Sequence, residues 1–459
     1  MQSPSSQAVS TSPQMPGGKT QIPDMLKIGA MPTNTQMDVE TSVLEPVQHS
    51  QTSCRFVLEN KGILHSHSKL IFSLKNPSAT ERCYFPVGIG VHSLLKSARL
   101  SSGGKTLIEI QDHNMLTAYE STFLSNEHNV EKEMFSTGRM VNHNFQYDIS
   151  ASGAKAQGVY LDNKMDYSEH EDEYVMPSVL EISNEANLQI SLSDIFPFLR
   201  RQQLPTFLMT EQLTLELTFE PSAGRQWQSG VEAIVFDIDT SETKLIADYI
   251  YYPADMMAGY AAANKELTIT YMNYRLSKTS IDAGTELKIR NVGGNGRICT
   301  KIVGGLQDDA QTGVINMLNK YSSIYPEGSG TSAGSVTLNI RYNNHLLYPL
   351  DVSNNAQHQH NTAQAQGMVP FVTRFEYCGE GGEVSMSDKT LAGANLRSNL
   401  GSKFGWTAHR LNRNERINSR GIEYHTQYAT NSGARTQRVW LELVRMATLS
   451  DGKFQVFDA

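Results

Sequence analysis

In Leu213-Thr214-Leu215-Glu216-Leu217-Thr218-Phe219 apolar and polar side chains alternate at every position. An extended strand with this period puts Leu213, Leu215, Leu217 and Phe219 on one side and Thr214, Glu216 and Thr218 on the other, which suits a sheet with one buried face. Short β-like runs recur through the chain. In the first half they are Arg55-Phe56-Val57-Leu58, 69–74, 93–100, 105–110, 190–192, 233–238, 245–252 and 267–274. In the second they are 286–289, 297–303, 335–342, 346–350, 438–446 and 454–457. Ser101-Ser102-Gly103-Gly104, Asn343-Asn344-His345 and Ser450-Asp451-Gly452 punctuate these runs as turns, and a Gly-Gly pair between two such runs predicts a hairpin. Helix signals are few. They fall on 112–124 with Asp112 as N-cap, on the Ala/Met-rich 253–263, and on 308–321 with apolar Val314, Ile315, Met317 and Leu318.

Many short strands joined by long polar loops predict an all-β chain of β-sandwiches with short helices in the loops. The stretches 125–177 and 379–433 are too long for hairpin connections. In a sandwich such loops project from one end, where they contact other subunits or a host. An internal echo divides the chain. Ala98-Arg99-Leu100, a turn, Thr106-Leu107-Ile108 and then Asp112 recur as Ile340-Arg341-Tyr342, a turn, Leu346-Leu347-Tyr348 and then Asp351. Each half also carries a strongly alternating strand near its end, 213–219 and 439–444. Two related domains in tandem are therefore expected, over 46–278 and 279–459. Residues 1–45 are rich in Ser, Thr, Gln, Pro and Gly and read as a flexible arm whose one apolar knot is Met25-Leu26-Lys27-Ile28.

Composition removes several function classes. A length of 459 residues is ample for a large core, and 39% apolar against 19% charged residues excludes a polyelectrolyte. Lys and Arg number 39 against 47 acids, a net charge of −8, so no chain-wide basic footprint for wrapping nucleic acid exists. No apolar run approaches the roughly 18 residues of a spanning helix, and the first residues show neither the basic nor the apolar region of a secretory signal. Cys54, Cys83, Cys299 and Cys378 are far apart and form no CxxC. Reduced thiols are expected.

Candidate chemistry is sparse. Gly293-Gly294-Asn295-Gly296-Arg297 lacks the spacing of a phosphate loop and reads as a hairpin turn. His65-Ser66-His67 and His358-Gln359-His360 place two imidazoles on one side of a strand, as a metal site begins, yet His358 and His360 have no carboxylate near them in sequence. The acidic stretch 162–173, with Asp162, Asp166, Glu169, Glu171, Asp172 and Glu173, offers oxygen ligands for Ca²⁺ without EF-hand spacing; a solvated loop is the alternative. Arg397, Lys403, His409, Arg410, Arg413, Arg416 and Arg420 interleave with Phe404 and Trp406, a composition able to grip a single nucleic-acid strand or to serve as an exposed inter-subunit loop. No GxSxG, HExxH or cysteine-nucleophile context occurs. No catalytic, cofactor-binding or metal residue is assigned, no cofactor is expected, and the chain does not read as an enzyme.

Four segments carry a family resemblance. They are Leu94-Leu95-Lys96-Ser97-Ala98-Arg99-Leu100-Ser101-Ser102-Gly103-Gly104-Lys105; Leu245-Ile246-Ala247-Asp248-Tyr249-Ile250-Tyr251-Tyr252 with the Met/Ala-rich helical turn and Glu266-Leu267-Thr268-Ile269; Tyr348-Pro349-Leu350-Asp351 with Gln357-His358-Gln359-His360; and 439–449 with Asp451-Gly452. In order and spacing the chain resembles the double jelly-roll major capsid proteins of icosahedral double-stranded DNA viruses. The likeness is to the polinton-like virus, virophage and large eukaryotic DNA virus branch of the adenovirus-hexon and tectivirus lineage. The resemblance implies two upright jelly rolls per chain and a homotrimer that forms a pseudo-hexagonal capsomer in the virion shell. It implies neighbouring capsomers, penton and minor capsid proteins and an internal membrane as partners, and no sequence-specific binding of nucleic acid. A viral spike or lectin-like glycan-binding sandwich, with Trp227 and Trp406 as exposed aromatics, is the alternative reading. A β-sandwich hydrolase would need paired carboxylates or a triad that the sequence does not present.

Overall fold

A computed structural model of the protein describes residues 37–75, 90–124, 185–200, 203–220, 237–281, 287–308, 336–352, 407–411, 415–428 and 435–458, with the short segments 83–84, 136–137, 159–160, 165–166, 179–180, 360–362 and 364–365. The first eight principal strands are β1 (Asp38–Leu44), β2 (Ser53–Val57), β3 (Lys69–Lys75), β4 (Leu95–Ser102), β5 (Lys105–Gln111), β6 (Glu185–Ser191), β7 (Leu213–Phe219) and β8 (Asp237–Tyr251). The next eight are β9 (Glu266–Ile281), β10 (Lys288–Gly293), β11 (Cys299–Asp308), β12 (Val336–Tyr342), β13 (His345–Leu346), β14 (Thr407–Arg410), β15 (Ile422–Tyr428) and β16 (Arg435–Ser450); β17 (Lys453–Asp458) closes the chain. Helix α1 (His113–Leu124) follows β5, and α2 (Ala254–Ala263) links β8 to β9.

All strand pairs are antiparallel. In the first half the sheets run β1-β8-β3-β6 and β2-β7-β4-β5; in the second they run β9-β16-β11-β14 and β10-β15-β12-β13. Adding eight to each strand number of the first half reproduces the second. Each half is thus an eight-stranded jelly roll of two four-stranded sheets, extended at an edge by Gln48–Ser50 beside β2 and by β17 beside β16.

The alternation of β7 is realised in burial: Leu213, Leu215, Leu217 and Phe219 are buried. β7 lies between β2 and β4 with Leu215 opposite both Phe56 and Leu100, so one cross-strand row sends three apolar side chains into the core. Leu70, Phe72 and Leu74 of β3 meet them from the facing sheet, and the Phe72 and Phe219 rings join edge to face at 6.0 Å. The expected hairpins form. Gly103 and Gly104, at φ +55° and +80°, make the two-residue turn between β4 and β5, and Asn343 and Asn344 do the same between β12 and β13. These hairpins occupy equivalent places in the two sandwiches, so the sequence echo marks a real repeat. The two alternating strands are not equivalent: 213–219 is β7, whereas 439–444 lies in β16, the counterpart of β8.

Several expectations are corrected. Residues 38–44 of the expected arm form β1, paired with β8 along its whole length; its side chains are mostly polar, and backbone pairing rather than side-chain burial makes it a strand. The expected boundary at 278/279 falls inside β9, which pairs with β16 from Glu266 to Ile281, so sheet membership changes instead at α2. Gly293-Gly294-Asn295-Gly296 does not close a hairpin: β10 pairs with β15 and β11 with β16, so these residues turn a corner between two sheets. Asp308 ends strand β11 rather than opening a helix, and 311–321 lies outside the described residues. The helix over 254–263 forms, with none of its residues buried.

This packing predicts a sharp contrast along β7. Leu215→Ala should cost roughly 2–5 kcal/mol in a urea unfolding titration, whereas Thr218→Ala on the exposed side should cost about 1 kcal/mol or less. Equal losses would contradict the assigned faces.

Candidate functional site

The two sandwiches meet along a seam, and the sequence of β16 shows why. Val439, Leu441 and Leu443 pack with Val292, Ile302, Leu338 and Ile340 inside the second sandwich. Residues of the opposite parity, Arg438, Trp440 and Glu442, therefore face outward. Trp440 is nonetheless fully buried, in a cluster shared with the first sandwich. Its ring meets Tyr119 of α1 edge to face at 5.6 Å, and its Nε1–H donates to the Gln111 carbonyl at 3.0 Å. Two glycines of β11 admit rings on both sides: a β-carbon at Gly305 would run into Tyr119, and one at Gly304 into Tyr424. Tyr271 Oη donates to the Leu107 carbonyl at 2.5 Å, Arg445 Nη1 to the same oxygen at 2.9 Å, and Lys105 Nζ to the Phe454 carbonyl at 3.0 Å.

Two charge clusters cross the seam. In one, the Asp112 carboxylate accepts from Arg438 Nε at 2.8 Å, with Lys96 Nζ at 3.3 Å and Lys278 Nζ at 3.9 Å. Lys96 also reaches Glu220 at 3.3 Å. Asp112 and Lys96 belong to the first sandwich, and Arg438 and Lys278 to β16 and β9 of the second. Burial works to raise the Asp112 carboxyl, but Lys96, Arg438 and Lys278 outweigh it and hold it below the ordinary aspartate value. Asp112 does immediately precede α1, yet its φ is +48° and its carboxylate serves Arg438 across the seam; the expected N-cap role is replaced by a tertiary one.

In the second cluster Lys301 Nζ of β11 donates to Glu120 of α1 at 2.7 Å and lies 3.3 Å from Glu442. Tyr274 Oη and Thr300 Oγ1 donate to the two Glu442 oxygens at 2.9 and 2.6 Å. Burial works to lower the Lys301 ammonium, and Glu120 and Glu442 reverse this, holding it above the usual lysine range. Burial likewise works to raise Glu442, and Lys301, Thr300 and Tyr274 hold it below the usual glutamate value. Lys301 is a largely buried ion held charged by Glu120 from the other sandwich and by Glu442 of its own, an arrangement that fixes register between packed surfaces. Sequence reading missed all of them. The available signal was Arg438 and Glu442 sharing one parity with Trp440 in an otherwise apolar strand.

Beside this seam, His113 begins α1 with Nε2 3.4 Å from His92 Nδ1, both buried. Burial, then the neighbouring His92, pushes the His113 imidazole down to about 3.

The sequence-predicted candidates do not converge. His65 and His67 stack edge to face at 4.4 Å, with His65 Nδ1 accepting from the His67 backbone N–H. His360 is exposed, and His358 lies outside the described residues. Among the described residues no group of three His, Cys, Asp or Glu is placed to hold a metal ion. Of the acidic stretch only the strand Met165–Asp166 is described, paired with Val159–Tyr160. The basic stretch is divided: His409 is buried with Nδ1 bonded to Tyr348 Oη, Arg410, Arg416 and Arg420 are exposed, and Arg397, Lys403, Phe404, Trp406 and Arg413 lie outside the described residues. Trp227 also lies outside them. Cys54 and Cys299 are buried free thiols; burial pushes Cys54 up to about 12 and raises Cys299 further. No described helix is long and apolar enough to cross a membrane.

No protein-family model matches the sequence, and no curated protein matches it. Solved structures match over nearly the whole chain. The Sputnik virophage structure aligns at a TM-score of 0.56 and 12% identity, covering 98% of this chain and 94% of that one. The PBCV-1 virus capsid aligns at 0.54 and 11%, covering 93% and 97%. The Faustovirus major capsid protein aligns at 0.54 and 10%, covering 92% and 93%. The double jelly roll is thus the shared architecture.

Two outcomes follow from the seam. Asp112→Asn keeps a residue that tolerates positive φ but removes the charge; it should cost roughly 3–5 kcal/mol in urea unfolding, and Arg438→Met in the same chain should restore part of that. Simple additivity of the two losses would show that the pair does not couple. His113 supplies a pH dependence. Unfolded, it titrates near 6.5; folded, it refuses the proton down to about pH 3. Its stability is therefore complete above the unfolded value and is lost as pH falls, by up to about 1.4 kcal/mol per pH unit. Asp112, with its lowered value, acts in the same direction at more acid pH. The urea midpoint should fall between pH 7 and 5 in the wild type and less steeply in His113→Gln. Parallel slopes would remove His113 as the source.

Proposed function

We propose that the protein is a structural major capsid protein: one chain is a third of a trimeric, pseudo-hexagonal capsomer that tiles an icosahedral virion shell. The observation that carries this is the repeated jelly roll, aligned end to end with the capsid structures at TM-scores of 0.54–0.56. The geometry supports it physically. Two sandwiches of one topology, welded by buried ion pairs, act as a rigid twin lobe. Three twin lobes around an axis supply six similar lobes, and closed symmetry repeats one contact three times. Nothing in this role requires catalysis or a cofactor; it requires shape complementarity and many weak contacts acting together.

In this reading the tandem units are β1–β8 and β9–β17, joined through α2. The residues ahead of β1 tether the capsomer to its neighbours, to penton or minor capsid proteins or to an internal membrane. The protein assembles inside a host cell and resides in the virion shell.

Size-exclusion chromatography with light scattering should give about 153 kDa, three chains of 51.0 kDa, and negative-stain images should show hexagonal outlines. A clean monomer at micromolar concentration would overturn the proposal.

A further inference from the structure

Helix α2 presents to solvent the kind of stripe that a helix ordinarily hides. Met256, Gly259, Tyr260 and Ala263 are exposed and follow the i, i+3, i+4, i+7 spacing of a core-facing side, while Met257 and Ala261, turned away from it, are half-buried. Met256 and Tyr260 are 46% and 38% exposed. The Phe207 ring of the first sandwich lies beside Tyr260 at 6.0 Å, but a β-carbon added at Gly259 would meet nothing within 4 Å. A helix of 10 residues is marginal in water by itself and draws its stability from packing an apolar side. In α2 that side is left uncovered by the described residues.

The chain itself supplies a cover. Asp38 of β1 stands opposite Tyr251 of β8, and α2 begins at Ala254. Whatever precedes β1 therefore leaves the first sandwich at the end where α2 starts, and exposed Met37 marks the exit. The one apolar knot ahead of β1, Met25-Leu26-Lys27-Ile28, ends nine positions before Met37. Nine residues span at most about 30 Å, and a helix of this length is about 15 Å long, so all of α2 is within reach. A tether this short gives an effective concentration on the order of mM, which favours the chain's own helix over a neighbour's. Charge agrees with the pairing. Lys27 is the one charged residue of the knot and Asp255 the one charged residue of α2.

We propose that Met25-Leu26-Lys27-Ile28 docks on α2 of its own chain, its three apolar side chains against the stripe of Met256 and Tyr260 and its lysine facing Asp255. The contact latches the leading residues to the junction between the two sandwiches. It leaves residues 1–24 for the tethering proposed above, and it does not depend on the chain forming a trimer.

The test is amide hydrogen exchange on the full chain. In the wild type the α2 amides should exchange about tenfold more slowly than in the variant Met25→Asp with Leu26→Asp and Ile28→Asp. The substituted residues lie ahead of the first strand, and an unchanged melting temperature checks that the sandwiches are retained. A helix-side variant, Met256→Ala, keeps a strong helix former and should lose most of the same protection. Carbodiimide coupling, which condenses an amine with a carboxylate and takes up the water released, should link Lys27 to Asp255 in a product that runs as one 51.0 kDa chain on a denaturing gel. Equal α2 exchange in the wild type and the Asp variant would overturn the inference. So would a Lys27–Asp255 link confined to a two-chain band, which would give the helix to a neighbour's leading residues. Protection acquired only on adding phosphatidylcholine vesicles would overturn it as well, in favour of a lipid surface. None of these outcomes touches the capsomer reading, which the chromatography above decides.

Discussion

Burying a sheet on both of its faces sets the terms for the rest of this molecule. The sheet β9-β16-β11-β14 has its own sandwich on one side and the first sandwich on the other, with Trp440 and Leu441 on successive positions of one strand, both fully buried. An antiparallel sheet ordinarily leaves one face to water. Here the outward positions include Arg438, Glu442 and Lys301, and removing such ions from water is costly unless each meets a partner. From the first sandwich Asp112 meets Arg438 and Glu120 meets Lys301, which in turn pairs with Glu442. The relative placement of the two lobes is therefore specified by charge geometry as well as by apolar contact, because a shifted lobe would leave several buried ions unmatched.

The same arrangement explains why a chain built from two like units is asymmetric. A repeat generates equivalent surfaces, but a contact between unlike surfaces within one chain consumes only one of each. Val39 and Val43 are exposed on the first sandwich, where Ile250 opposite Val39 is nonetheless buried, and Leu346 and Leu350 are exposed on the second.

Much of the local architecture was readable in advance. The faces of β7 followed from its period, and the Gly103-Gly104 and Asn343-Asn344 turns followed from residues that accept positive φ. The helix at Ala254–Ala263 followed from its Ala and Met content. Other features were misread for identifiable reasons. β1 carries few inward apolar residues, so nothing in its side chains announces a strand that exists through pairing with residues some two hundred positions away. The Gly293–Gly296 turn has hairpin chemistry, yet its flanking strands find partners in different sheets. Asp112 has the residue type of a helix cap, and Arg438 claims its carboxylate instead.

Side-chain period and turn chemistry are written locally, so the primary structure dictated the faces of strands such as β7, the Gly103-Gly104 and Asn343-Asn344 hairpins and that two similar β units follow one another. Which strands pair, where one sandwich yields to the next, and which charges are buried depend on contacts such as Asp112 with Arg438, 326 residues apart. Those choices were made by packing, because the free energy of pairing an ion across the seam exists only once both sandwiches have formed and excluded water between them.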